Sequence, residues 1–342
     1  MRSFGFTLLG VLLVAAVGAP VLAPYAPDAQ FRGRLNAPPT MPHVVDDAGA
    51  WHAPFIYPWT LTNQLEQRYE QDRSQRVTLS WFGGGRLLSS SDADRAPFFL
   101  LGADSYGRDV FSRLLYGARI SLGLSLVAAA GALLIGALVG GIAGYAGGLL
   151  DDLLMRTSDF VLVLPAMYVA LALRSVLRLV LPPFEVFVLL TGIFAFVGAP
   201  FFARGVRAIV RSEKQRDYGV AALSLGASHA RLLFRHLLPA ARGFIVVEIV
   251  MLVPAFIVAE ATLSYVGLGF PDPVASWGTM LHDASTVRAF ADFPWLLSPA
   301  AAMFLVVLGL NLVMQTSGIA PVYNTSDGPA RGLRADTHAL RP

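Results

Sequence analysis

Two carboxylates, Glu248 and Glu260, lie deep inside apolar stretches. An ionisable group in such a setting is a functional candidate by default. The other ingredients of a reaction centre are not arranged around them. His43, His52, His229, His236, His282 and His338 show no H-E-x-x-H spacing for a metal. No G-x-x-x-x-G-K-[ST] loop occurs to cradle a nucleotide, and no G-x-S-x-G elbow presents a nucleophile. The chain has no cysteine, which excludes thiolate metal sites and disulfides. Tyr145-Ala146-Gly147-Gly148 reads as a turn and not as a phosphate cradle. No catalytic residue, metal ligand or cofactor site is expected on this chain. Glu260 is either a pathway carboxylate or a structural hydrogen-bond acceptor between helices, and Glu248 is expected to meet the interface or Arg242. Pro254 stands between them and should kink its helix, a candidate gate pivot. Pro165 is a second such position.

Chemistry of another kind is written in residues 217–239, DYGVAALSLGASHARLLFRHLLP. Asp217 can cap a helix start. Gly226 can take the left-handed conformation that stops a helix, and Ser228 can cap a second one running from His229 to Leu238. Pro239 should end it. Ala221 and Ala222 are small and expected to be exposed, with glycine four residues on. The plain reading is a basic interfacial helix held by anionic lipid. The alternative is a flat, nearly side-chain-free hairpin that another protein's groove can approach closely. The two small residues and the glycine favour docking.

These residues need elements to position them, and composition says what kind. Of 342 residues 55% are hydrophobic and 14% charged, against about a quarter charged in a soluble domain. Mean hydropathy is +0.58. Lipid is therefore the expected solvent. Net charge is +3, and the cations flank apolar segments instead of massing on a soluble face, so nucleic acid is not an expected partner.

Spans of about 20 apolar residues cross a bilayer. They are expected at 4–23, 119–146, 160–180, 185–203, 243–266 and 296–315. Val21-Leu22-Ala23 also resembles a signal-peptide cleavage site, which Pro24 disfavours. The predicted layout is a first transmembrane helix (1–23), an extracytoplasmic insertion (24–106), a membrane core (107–315) and a polar tail (316–342). The insertion carries Trp51, Trp59 and Trp81, and its aromatics require at least partial burial. Residues 107–118 read as a short amphipathic interface helix with Asp109 and Arg113 paired. Residues 147–160 read as a short loop. In the second span, repeated glycines permit close helix approach. The stretch 204–242 carries Arg204, Arg207, Arg211, Lys214, Arg216, Arg231, Arg235 and Arg242 against Glu213 and Asp217. Cytoplasmic loops collect such charge, so both termini are expected inside. Arg174 and Arg178 run against that bias and are expected to snorkel.

The residues now support a resemblance. Ala221-Ala222, Gly226 and Leu238-Pro239 resemble the "EAA" loop of permeases from ATP-binding-cassette (ABC) importers, with Val220 at the glutamate position. Leu101-Gly102-Ala103-Asp104-Ser105-Tyr106-Gly107-Arg108-Asp109-Val110-Phe111-Ser112-Arg113 resembles the "LGTDxxGRDVxSR" segment of C-type dipeptide, oligopeptide and nickel permeases. Residues 260–281, with Ser276, Trp277 and Gly278, are similar to that group's "EAxLSFLGLG…PPxxSWGxML" segment, with Asp272 replacing one proline. The long insertion is similar to that of Yej-type peptide permeases, and the tail lacks a "RDALDPR"-like ending.

The resemblance implies an all-α polytopic protein with six transmembrane helices in the type I importer fold. It implies a coupling role for Asp217, Ala221, Ala222, Gly226, Ser228, Arg231, Leu238 and Pro239. The missing glutamate leaves that coupling to shape and to charges such as Arg216 and Arg231. Gly107, Arg108 and Asp109, with Ser276, Trp277 and Gly278, form the outer motif, where a binding protein would deliver substrate. Implied partners are a B-type permease, two ATPase subunits that bind the ATP, an extracytoplasmic solute-binding protein and membrane lipid. The implied location is the bacterial inner membrane. The competing class, a self-sufficient secondary transporter or channel, would need an ionisable relay or an internal repeat, and neither is visible.

Overall fold

The computed structural model describes residues 2–163, 168–169, 171–172, 181–286 and 291–315. The first apolar rod is helix α1 (Arg2–Val17) followed by a further turn, α2 (Ala19–Leu22). Four more helices are long and apolar enough to cross a membrane: Val110–Ala146, Pro183–Lys214, His229–Tyr265 and Pro294–Met314. Most of the expected third span, with Pro165, Arg174 and Arg178, lies outside the described residues, as does the tail 316–342.

Helix α3 (Val110–Ala146) is the central rod. It packs along α5 (Pro183–Lys214) by a stripe of Gly136, Gly140 and Gly144. A Cβ on Gly140 would stand 2.2 Å from the Ala203 carbonyl oxygen, and one on Gly144 would stand 2.6 Å from that of Arg207. Membrane helices lack a hydrophobic drive to associate, so this close approach supplies their packing attraction. Alanines continue the same logic where α3 meets the aliphatic and aromatic side of α5: Ala128, Ala129 and Ala132 are buried with Leu190, Ile193 and Phe194. Phe194 stacks on Phe256 of α8 (Arg242–Tyr265) at 5.3 Å. The first rod leans on α10 (Ser298–Gln315), where a Cβ on Gly5 would lie 3.0 Å from the Gly309 carbonyl oxygen.

Several expectations are corrected. Residues 107–118 are not a separate interface helix. Helix α3 starts at Val110 and continues unbroken past residue 118 to Ala146, and most of its glycines, Gly117 and Gly136 among them, are packed against a neighbour and act as contacts instead of breaks. Residues 147–160 are not a loop but most of helix α4 (Gly148–Val163). Its first-turn Asp151 is buried against Arg207 of α5, and this contact holds the Asp151 carboxyl below the ordinary range.

Among the described residues the membrane core is built from helices, and the insertion is built from strands. These are β1 (His43–Val45), β2 (Trp51–Ile56), β3 (Trp59–Asn63), β4 (Arg68–Gln71), β5 (Val77–Trp81) and β6 (Leu88–Ser90). They form an antiparallel sheet in the order β1-β2-β5-β6 and a β3-β4 hairpin. Its aromatics are buried as the composition required, but not through the tryptophans. Phe55, Tyr57, Phe98 and Phe99 are buried, while Trp51 and Trp81 are exposed. Tyr25 ties this unit to the membrane core, its amide donating to Ser112 Oγ of α3 at 3.1 Å and its hydroxyl accepting from the Phe98 amide at 2.7 Å.

Candidate functional site

At one end of the core the 217–239 stretch forms two short limbs. The first, α6, covers Asp217–Ser224. Leucine, alanine and valine there favour helix only weakly over so short a length, so the stop must be encoded locally. Gly226 supplies it at φ +83°, and the Ala227 amide reaches back to the Ala222 carbonyl at 3.0 Å, the closure of a glycine-terminated helix. Ser228 then caps α7 (His229–Leu232), its Oγ accepting from the Arg231 amide.

Pro239 does not end this second limb, contrary to expectation. The chain passes through a wide π turn (Leu233–Leu237) and a 3-10 turn (Leu238–Ala241) straight into α8. Proline's fixed φ and missing N–H suit the opening of a helical turn, and Pro239 occupies that place in the 3-10 turn.

The hairpin's inner side is anchored. Leu232, Leu233 and Leu237 are buried with Val206 and Val210 of α5, and half-buried Ala222 joins them. Leu238 packs toward Gly141 of α3. Asp217, Ala221, Gly226, Ser228, Arg231 and Pro239 are exposed. Arg216 is paired with Glu213 at 3.2 Å, and Arg231 makes no ion pair among the described residues. Leu225, 88% exposed at the tip, is an unforeseen member of this surface. Its signal was an isolated leucine directly before the stop glycine.

At the other end, the two motif segments meet in one buried node. Gly107 at φ +74° lets the chain pass Phe31, whose amide donates to the Gly107 carbonyl at 3.0 Å. Asp109 caps α3 by accepting from the Ser112 amide at 2.8 Å. The expected Asp109–Arg113 pair does not form, because Asp109 is turned onto its own helix terminus. Arg113 instead lies 3.5 Å from Asp104 and 3.7 Å from Asp283.

Arg108 is the hub of this node. It bonds Asp104 at 2.6 Å, Asp272 at 3.3 Å and Asp283 at 2.9 Å, and it lies over the Tyr106 ring. Burial opposes its charge, but Asp104 and Asp283 outweigh that and hold its pKa above the ordinary guanidinium value. For Asp283 burial wins over the two arginines, and its carboxyl is pushed up.

A second knot lies just beneath. Glu260 of α8 is fully buried and accepts from Ser121 of α3 at 3.0 Å, Ser264 at 2.7 Å and Ser276 at 2.7 Å. The structural hydrogen-bond reading of Glu260 is the one this geometry displays. Ser276 also caps α9 (Trp277–Asp283) with a capping box. The Trp277 amide donates to Ser121 Oγ at 3.1 Å and its indole N–H to the Leu114 carbonyl at 3.1 Å. Gly278 is needed for contact, since a Cβ there would sit 2.6 Å from the Ala261 Cα. The outer motif residues are thus interior struts. The exposed groups beside them are Tyr106 and Asp272. Pro254 lies inside α8, half-buried, one turn and a half below Glu260.

No site role was assigned from the sequence to Ser121, Ser264, Asp104 or Asp283 here, or to Tyr145 and Lys214 at the hairpin. Serines in an apolar span opposite an intramembrane carboxylate were the available signal for the first two.

A membrane-embedded helical core with a glycine-zipped central rod, an anchored hairpin at one end and a buried ionic node at the other defines a polytopic transport subunit. Residues 132–317 match the family of binding-protein-dependent transport system inner membrane components, and the chain belongs to that family. Residues 3–39 match the N-terminal transmembrane domain of oligopeptide transport permease C. The chain is 39% identical over 225 residues to the oligopeptide transport system permease protein OppC of Bacillus subtilis, covering 65% of this chain and 71% of the relative. It is 36% identical over 237 residues to the dipeptide transport system permease protein DppC of Alkalihalophilus pseudofirmus, covering 66% of this chain and 75% of the relative. Among solved structures, a chain of the MetNI methionine ABC transporter is similar at TM-score 0.45 and 18% identity, covering 59% of this chain and 94% of that one. This chain is a multi-pass inner membrane permease of the C type.

Proposed function

We propose that the chain forms half of the translocation path of an ABC importer for peptides, and that its exposed hairpin 217–239 is the coupling surface for separate ATPase subunits. The observation that carries this reading is the hairpin itself. Its buried side is plugged into α3 and α5, and its outer side presents the small Ala221 and Gly226 beside the projecting Leu225 side chain. A groove on a partner can approach such a backbone closely. ATP is bound and hydrolysed by the partners, a B-type permease supplies the other half of the path, and a solute-binding protein delivers substrate at the face bearing Tyr106 and Asp272. Both termini lie in the cytoplasm. The peptide names of the relatives support the substrate class.

The test is co-expression with candidate B-type permease and ATPase subunits from the same genome. The chain should retain the ATPase subunits on purification. Gly226→Val puts a β-branched residue at a positive φ, where it is strained, and should abolish retention and peptide uptake together. Retention and uptake at wild-type levels in that variant would overturn the reading. So would labelling, from outside intact cells, of a cysteine placed at Ala221.

A further inference from the structure

The insertion's edge strand is fastened to the first membrane rod. The Leu87 amide, at the entry to β6, donates to the Val21 carbonyl at 2.7 Å. Across the β5-β6 turn the Phe82 amide donates to the Leu87 carbonyl at 3.2 Å. Val21 and Phe82 are thus each one hydrogen bond from Leu87, and lie within two strand spacings of one another. Residues 2–22 of the first rod rise roughly 30 Å at 1.5 Å per residue, about the thickness of a hydrocarbon core. Val21 thus marks the level at which acyl chains give way to headgroups.

At that level the turn exposes aromatic surface that no described residue covers. Trp81 is 58% exposed and Phe82 70%. Phe82 is held at φ +57°, a conformation bulky residues rarely adopt, so the turn presents this ring at a backbone cost. Gly83, Gly84 and Gly85 follow, with little bulk, and then Arg86, which makes no ion pair among the described residues. The patch continues the first rod's own apolar flank: Val14, Val17 and Val21 recur at helical spacing and are exposed. A tryptophan, a phenylalanine and an arginine at the headgroup level form the pattern of an interfacial anchor.

We propose that the β5-β6 turn, Trp81–Arg86, seats in the bilayer interface, with Trp81 and Phe82 at the boundary of headgroups and acyl chains and Arg86 on lipid phosphate. The anchor fixes the tilt of the four-stranded sheet relative to the membrane. It depends only on the first rod spanning the bilayer, and not on the coupling role of the hairpin.

The chain has no cysteine, so single nitroxide labels can be placed in the full-length protein. Phe82→Cys and Ser74→Cys, the latter on the exposed approach to the far end of β5, are labelled in vesicles of phosphatidylcholine and phosphatidylglycerol. The label at 82 should collide more with oxygen than with a water-soluble nickel chelate, and the label at 74 should show the reverse. Equal, aqueous collision profiles at both positions would overturn the proposal. Independently, brominated phospholipids should quench the wild-type tryptophan fluorescence more than that of Trp81→Phe. Equal quenching in the two proteins would also overturn it.

Discussion

The hydroxyl of Tyr145, in the last turn of α3, is hydrogen-bonded to ring Nδ1 of His229, the first residue of the hairpin's second limb. The same tyrosine is held from the other side. Lys214, at the end of α5, donates to the Tyr145 carbonyl at 2.6 Å and lies 4.6 Å from its ring. A cation on a terminal carbonyl also suits the helix dipole. The hairpin is joined to the membrane core by its chain connections to α5 and, through a π turn and a 3-10 turn, to α8, and by its packing on α5. The side-chain latch adds a polar tie to α3, a continuous helix that reaches the outer node.

The latch leads to a first prediction. In proteoliposomes containing the assembled transporter, Tyr145→Phe keeps the ring and the lysine contact but loses the bond to His229. Peptide transported per ATP hydrolysed should fall about five-fold, the equivalent of one net hydrogen bond of about 1 kcal/mol. ATPase subunits should still co-purify. An unchanged transport-to-hydrolysis ratio would show that the latch carries none of the coupling.

The glycine zipper gives a stability prediction. A methyl at Gly140 cannot fit 2.2 Å from the Ala203 carbonyl oxygen without separating α3 from α5. Gly140→Ala should cost about 2 kcal/mol, in the range of core overpacking, and lower the melting temperature in detergent. Gly123→Ala is the control: nothing lies within 4 Å of its added Cβ, and alanine favours helix. It should melt at or above the wild type.

What could be read from the sequence follows the range of the interactions. Apolar length and the glycine spacing exposed the spans and the α3 packing stripe. The stop at Gly226 and the cap at Ser228 are local, and each was legible within a few residues. Pro239 misled because proline can end one helical turn or begin the next, and the choice depends on Leu237 and Ala241 being buried against α5. The outer node was legible only as two motifs. Arg108 meets Asp272 and Asp283 across separations of 164 and 175 residues, which no local pattern encodes. The insertion's strands are mostly short, and their core is completed by Phe98 from a later loop, so alternation alone had too few positions to reveal them.

Glu260 holds three hydroxyls from three parts of the chain, and its removal should be felt as loss of packing. Glu260→Ala leaves Ser121, Ser264 and Ser276 without their acceptor, and each unsatisfied buried donor costs roughly 1–3 kcal/mol. The variant should accumulate poorly in the membrane and melt well below the wild type. Ser264→Ala removes one donor and should cost about 1 kcal/mol, because membrane hydrogen bonds contribute modestly. Thermal unfolding of the purified protein reads the difference. A Glu260→Ala protein as stable as wild type that had lost uptake would instead assign Glu260 to the pathway.

The node also makes stability depend on pH, with a sign that can be worked out. Asp109 is buried, and burial pushes its carboxyl from 3.8 up to about 7 despite the bonds from Ser112. Its Oδ1 has no hydrogen-bond partner among the described residues, which makes that oxygen the place for the proton. Between about pH 4 and pH 7 the native protein therefore keeps a proton that the unfolded chain has released. Stability should fall as pH rises through this window, by on the order of a few kcal/mol, and level off above it. Asp109→Asn keeps the capping oxygen for Ser112 and removes the titration. Its melting temperature should lose most of the decline that the wild type shows from pH 5 to pH 8. Parallel declines in the two proteins would place the titrating group elsewhere, with Asp283 the next candidate because burial also raises its pKa.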